Sequence, residues 1–130
     1  MSPIWTRAFT LAVAATFAVF VGFYLLIPAL PPYAAQLGAS KSAIGIVIGI
    51  YSIAAVTVRL TTGHLIDRGG RKRFLMSGLA LFAAASVSYR FATTLSSLIA
   101  LRIVHGIGWA WVTTGFTALV ADITPPARRG

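Results

Sequence analysis

The sequence predicts an all-α membrane protein with four transmembrane helices. Three observations carry that prediction. Apolar residues make up 58% of the 130-residue chain and charged residues 10%, which leaves too little polar surface to cover a soluble globule of this size. Four runs of 18 or more residues are almost free of charge, and about 20 residues at 1.5 Å each cross a bilayer. The basic residues lie in short clusters between those runs. Each run is read as a helix, because an open strand edge leaves its backbone unsatisfied in lipid.

The first span covers residues 8–30 and contains no charge. Arg7 precedes it, as in a secretory signal, but the run is too long for a signal's apolar core and three more spans follow. Pro28 is expected to bend or end this helix, since its ring removes a backbone donor. Pro31, Pro32, Gly38 and Ser40 are expected to break the chain after it. The second span covers 42–62, with Arg59 near its end, free to extend its head toward water. Gly69 and Gly70 mark the next connection. The third span covers 74–91, with Arg90 near its end; Thr93, Thr94, Ser96 and Ser97 surround the connection that follows. The fourth covers 98–123, contains Arg102 and His105, and stops at Pro125 and Pro126. Arg7, Arg68, Arg71, Lys72, Arg73, Arg128 and Arg129 fall on one side, Lys41 and Arg90 on the other. That asymmetry predicts a multi-pass protein of the cell membrane with both termini in the cytoplasm.

The formal charge of +9 raises nucleic acid as a partner. The basic residues form no continuous face, however, and their clustering fits a bilayer with anionic headgroups instead. With no cysteine, two acids (Asp67 and Asp122) and two distant histidines (His64 and His105), no metal-ligand spacing, catalytic triad or phosphate-cradling loop is visible. The expectation is a protein that is not an enzyme and uses no cofactor or metal.

Within the spans, small residues are candidate helix contacts, because lipid tails do not drive helices together. Ser42, Gly45, Gly49 and Ser52 form one such stripe; Ser77, Ala80, Ala84 and Ser88 form another. Phe9, Phe17, Phe20 and Tyr24 share about 80° of arc on the first span. They serve as packing or lipid contact or, through the polar tip of Tyr24, as a cavity wall. On the fourth span Arg102, His105, Trp109, Thr113 and Phe116 share a similar arc, the candidate path for substrate or protons. Trp111 lies opposite, toward lipid or a neighbouring helix. An ionisable group in a span is expensive unless it faces protein or water. Arg102 therefore either attracts an anionic group and tunes a proton site, or anchors the outer interface. His105, with an ordinary pKa of about 6.5, either exchanges a proton or is a hydrogen-bonded structural residue.

The most specific stretch runs from Gly63 to Leu75, Gly-His-Leu-Ile-Asp-Arg-Gly-Gly-Arg-Lys-Arg-Phe-Leu. Gly70 suits a tight connection with positive φ. Asp67 is placed to pair with Arg71 or to cap the next helix, and Gly63 to admit a neighbouring backbone. The plain alternative is a solvated basic turn. This stretch resembles the pattern G-x-L-a-D-r-x-G-r-k-x-x-l between helices two and three of the major facilitator superfamily, matched by Gly63, Leu65, Asp67, Arg68, Gly70, Arg71, Lys72 and Leu75. Residues 21–31 resemble the family's l-g-x-x-x-x-i-P-v-l-P ending of helix one in twelve-helix exporters. Arg102 to Gly108 resemble its helix-four R-x-x-q-G-x-g pattern, with His105 in place of Gln. Residues 121–130, with Asp122 and Arg128, resemble the loop after helix four.

The resemblance implies that residues 1–130 supply four helices of the N-terminal six-helix half of a twelve-helix transporter, and that further helices are missing. It implies alternating access, a small-molecule substrate and proton-coupled efflux. Asp67 would hold the transporter's halves together, with Arg68 and Arg71 as its charge neighbours. The alternative is a four-helix membrane protein that binds other membrane subunits and transports nothing.

Overall fold

A computed structural model describes residues 5–124, apart from the side chain of Asp67. Four long helices follow one another: α1 (Arg7–Gln36), α2 (Lys41–Gly69), α3 (Arg71–Ser88) and α4 (Leu95–Ile123), with a single 3-10 turn (Tyr89–Phe91) extending α3. All four are long and apolar enough to cross a membrane, and the chain is a multi-span membrane protein. The longest helices reach roughly 43–45 Å, beyond the roughly 30 Å of hydrocarbon, so their ends enter the headgroup layers. For that reason every helix begins before the oily stretch that announces it, α1 and α2 also run past its end, and only α3 stops short, at Ser88. At the ends, charged residues reach water and escape the cost of burial in hydrocarbon.

Two boundaries differ from the sequence expectation. Helix α1 does not end near Pro28; it continues through Pro28, Pro31 and Pro32 to Gln36. Proline removes a donor but not an acceptor, and packing holds the segment in place. Leu30 and Ala34 are buried, and the Tyr33 hydroxyl donates to the Ala92 carbonyl across the bundle. The helix then closes with a Schellman arrangement, Ala39 N–H to Ala34 O and Gly38 N–H to Ala35 O, around Gly38 at φ 81°. In α2, residues 63–69 are helical and not part of a loop. The whole connection to α3 is Gly70, at φ 80° and ψ 137°, a region open essentially to glycine alone.

Helix α4 is the centre of the bundle, packing along α3 and α2 and more lightly against α1. Contacts such as Val47–Arg102 and Arg59–Thr113 show that α2 and α4 run parallel. Helix α3 runs antiparallel to α4, with Gly78 on Trp111, Phe82 on Gly108 and Leu75 on Gly115. Toward the basic end, Phe23, Tyr51, Leu75, Phe82, Val112 and Phe116 form the core. Toward the opposite end, Leu30, Ala34, Val47, Tyr89, Ala92 and Leu98 do so.

The small-residue stripes do not make these contacts. Ser42, Gly45, Gly49 and Ser52 are exposed, and a β-carbon at Gly45 or Gly49 would meet nothing within 4 Å. Ser77, Ala80 and Ala84 are exposed too, with Ser88 half-buried. Helix α2 instead buries Val47, Tyr51 and Ala55, and α3 buries Leu75, Phe82 and Ala85. The close approaches come from Gly106, Gly108 and Gly115 of α4 and from Gly78 of α3. A β-carbon on Gly106 would lie 2.5 Å from the Tyr51 carbonyl oxygen, and one on Gly108 would lie 2.8 Å from Phe82 N.

Candidate functional site

The first candidate region is the basic end. Gly63, Asp67 and Arg68 lie on the last two turns of α2, Gly70 is the hinge, and Arg71 and Lys72 begin α3. Gly63 admits no neighbouring backbone: its surroundings are open to 4 Å. Asp122, expected in a loop, is in the last turn of α4. Its carboxylate accepts from the Arg71 guanidinium in an ion pair. Arg128 lies outside the described residues.

That pair joins two sequence motifs 51 residues apart. A cation at the start of α3 opposes that helix's dipole, and an anion at the end of α4 opposes its own, each by about 0.3–1 kcal/mol. Placing the two together offsets both penalties. The two side chains are 51% and 46% exposed, so solvent screens the attraction. A double-mutant cycle of Arg71→Gln and Asp122→Asn, read by thermal melting, should give a coupling of about 0.5–1 kcal/mol. Additive single effects would show that the two charges do not act as a pair.

The second region lies inside the bundle. Arg102 is 2% exposed and does not reach the outer interface. Its Nε–H donates to the Val47 carbonyl at 2.9 Å and its Nη2 to the Ile48 carbonyl at 3.3 Å. The guanidinium carbon sits 4.4 Å from the centroid of the Tyr51 ring, a cation–π contact out of water. Arg102 Nη1 and the Tyr51 hydroxyl are buried and make no hydrogen bond among the described residues. Both residues line a cavity of about 110 Å³ with Phe23, Ile27, Leu30, Ile48 and Ser52.

His105 is wholly buried. Its Nδ1 lies 3.1 Å from the Tyr89 hydroxyl and its Nε2 3.5 Å from Ser86 Oγ. Ser86 already donates its proton to the Phe82 carbonyl. Its oxygen therefore accepts from Nε2–H, and Nδ1 accepts from Tyr89. A neutral imidazole meets both partners, one as donor and one as acceptor. A glutamine amide offers the same pair of functions. The rings of Phe82, Tyr89, Tyr51 and Phe23 enclose the imidazole, with centroids 4.4–6.2 Å away.

Trp109 continues the cluster, stacked on Phe23 at 4.4 Å. Thr113 lies one turn further and accepts from Arg59 Nη2 at 3.0 Å. Tyr24 stays at the margin, 61% exposed, tilted against Phe20 at 6.2 Å and edge-on to Phe23 at 5.4 Å. Trp111 faces a neighbouring helix, against Phe74. Of the predicted path, Arg102, His105 and Trp109 therefore share one cluster, Thr113 adjoins it and Tyr24 lies at its exposed margin. Sequence reasoning missed Tyr51, Tyr89 and Phe23. It also misplaced Arg59, which does not reach for the helix end. A signal was present, since Val47, Tyr51, Ala55 and Arg59 recur every four residues, one face of a helix. Among the described residues, no three His, Asp or Glu side chains gather as metal ligands.

These positions coincide with a known family pattern. The profile of the Major Facilitator Superfamily matches residues 12–130. The chain belongs to the major facilitator superfamily. It is 31% identical over 113 residues to the quinolone resistance protein NorA of Staphylococcus aureus (strain N315), covering 87% of this chain and 29% of that protein. It is likewise 31% identical over 115 residues to multidrug resistance protein 1 of Bacillus subtilis (strain 168), covering 88% and 30%. The chain thus spans about 30% of the length of these relatives. No solved structure matches it. The superfamily's helical bundle and transport function are therefore those of this chain's family, and the helix-four pattern acquires a physical reading. Arg102 ties α4 to α2, Gly106 and Gly108 let α2 and α3 close in, and His105 fills the space between them.

Proposed function

We propose that the complete protein exports small solutes across the cell membrane by alternating access, coupled to the proton gradient. In this reading these four helices belong to its N-terminal six-helix half, with the basic end in the cytoplasm. The observation that carries it is the Arg102–Tyr51–His105 cluster, a charged and titratable group buried inside a bundle of membrane spans. Such groups are costly in lipid and are kept where solutes or protons pass. The names of the two relatives, both resistance proteins, support export as the direction. In this conformation His105 is hydrogen-bonded to Tyr89 and Ser86, and Arg102 with the adjoining cavity is the charged part of the proposed path.

The ion pair of Arg71 with Asp122 supports a gating role for the basic end, because it fixes the α3 start against the α4 end where two halves would rock. Asp67, on the last turns of α2, is the acid proposed to hold those halves in one access state. Asp67→Asn in the complete protein should slow transport by about tenfold, the size of a typical conformational coupling, while membrane insertion stays normal. The measurement is solute movement in inverted vesicles with and without a proton gradient. A variant that transports at the parent rate removes Asp67 from gating. Transport that ignores the gradient across a broad solute panel removes proton coupling.

A further inference from the structure

Arg102 is a buried cation with no carboxylate near it among the described residues. The two acids of the chain, Asp67 and Asp122, lie at the basic end of α2 and α4. That end is roughly 30 Å along the helix axes from Val47 and Arg102. The groups that Arg102 does touch are neutral. Nε and Nη2 donate to the Val47 and Ile48 carbonyls, and the face of the Tyr51 ring offers a quadrupole and not a charge. A desolvated charge is costly unless it is paired and its donors are all met. Neither condition holds here: Nη1 is buried and makes no hydrogen bond among the described residues.

A second orphan stands beside the first. The Tyr51 hydroxyl is buried and makes no hydrogen bond among the described residues either. Arg102 is 2% exposed and Tyr51 6%, and both line the same cavity of about 110 Å³. Its other walls are Phe23, Ile27, Leu30 and Ile48, with Ser52. Ile27, Ile48 and Ser52 are exposed, so the way in lies between α1 and α2. The volume is that of three or four liquid waters at about 30 Å³ each. It admits a bare monatomic ion but not a drug-sized molecule, whose pockets run to about 300–1,000 Å³. Water would meet both donors and leave the charge uncompensated. A halide accepts from the guanidinium and the hydroxyl together and supplies the missing negative charge, and apolar walls suit an anion that sheds its hydration readily.

We propose that Arg102 Nη1 and the Tyr51 hydroxyl hold a chloride ion, the counter-charge of Arg102, in the cavity between α1, α2 and α4. The ion is a resident of the fold and not a transported solute. Its place beside the path rests on the transport reading; its binding does not, because it is an equilibrium property that needs neither a proton gradient nor turnover.

The test uses the complete protein purified in detergent in potassium gluconate, with chloride exchanged in at constant ionic strength so that screening does not change. Equilibrium dialysis of radiolabelled chloride measures binding, and thermal melting reports the stability that a bound ion adds. The expected result is saturable binding of about one chloride per protein, with a melting temperature raised by about 2–4 °C. Bromide should replace chloride and fluoride should not, because fluoride holds its hydration shell most strongly. Tyr51→Phe keeps the ring under the guanidinium and removes only the hydroxyl; it should weaken chloride binding about tenfold, the loss of one hydrogen bond to a charged group. Arg102→Met should abolish binding and the chloride-dependent part of the melting shift. Melting that ignores chloride, with no saturable binding, would overturn the proposal and assign the cavity to water or to a carboxylate from elsewhere in the protein. Chloride binding of equal strength in the parent, Tyr51→Phe and Arg102→Met would also overturn it, by placing the ion at another site. Saturable, Arg102-dependent binding in a preparation that moves no solute would uphold the ion site and count against the transport reading.

Discussion

Arg102→Met in the complete protein should lower transport by about 5–150-fold, the range of a typical coupling energy, and leave the bundle folded. The two effects separate for a physical reason. The carbonyls of Val47 and Ile48 that accept from Arg102 lie inside α2, where each already accepts from the N–H four residues on. Removing the guanidinium therefore orphans no backbone group. It also removes a buried charge whose desolvation offsets much of what its hydrogen bonds contribute, so an apolar residue of similar length is nearly neutral for stability. Arg102→Ala differs, because it deletes the stem that packs between α2 and α4. By comparison with truncation of other long buried side chains, it should cost about 2–5 kcal/mol. Melting curves in detergent beside vesicle transport distinguish the outcomes. If the Met variant transports normally, Arg102 is a packing residue; if it fails to fold, the hydrogen bonds dominate over desolvation.

Gly106→Ala should destabilise the bundle by about 1–3 kcal/mol, the range for overpacking a tight contact. The new methyl would lie 2.5 Å from the Tyr51 carbonyl oxygen and 3.1 Å from the Ala54 β-carbon. The first of these is backbone, so no side chain can rotate away and α2 itself must move. That movement carries Val47, Ile48 and Tyr51 away from Arg102, so the loss of stability should come with a loss of transport. Gly49→Ala is the matched control on the other face of α2: a β-carbon there meets nothing within 4 Å. If the two variants melt at the same temperature, α2 and α4 do not approach through Gly106.

Much of this was legible in the chain. Composition and run length gave the four spans, because a bilayer imposes a minimum length of apolar helix that few other environments require. The Arg102–Gly108 pattern and the Gly70 turn were also readable, since a buried cation and a positive φ each restrict the residue types that can occupy them. Three readings failed for one shared reason. The end of α1, the contact faces of α2 and α3, and the role of Arg59 all depend on where a second helix lies. Pro28 looked like a terminator because a lone helix weakens at proline; docking of Leu30 and Ala34 holds it together here. Gly45 and Gly49 looked like contacts because small residues permit approach, but among the described residues no other helix packs against them. Asp122 and Arg71 were read as separate features because 51 residues separate them, and only the antiparallel packing of α3 on α4 brings them together.

The sequence alone determined that residues 7–123 supply four membrane-spanning helices, and its motifs placed those helices in a transporter family. Those properties follow from solvation and chain chemistry, which act residue by residue. The tertiary structure decided that α4 is the centre, that Arg102 and His105 are sealed among aromatic rings, and that Arg59 crosses to Thr113. In lipid every helix exposes similar apolar surface, so hydrophobicity does not choose which faces meet; shape and a few polar contacts make that choice.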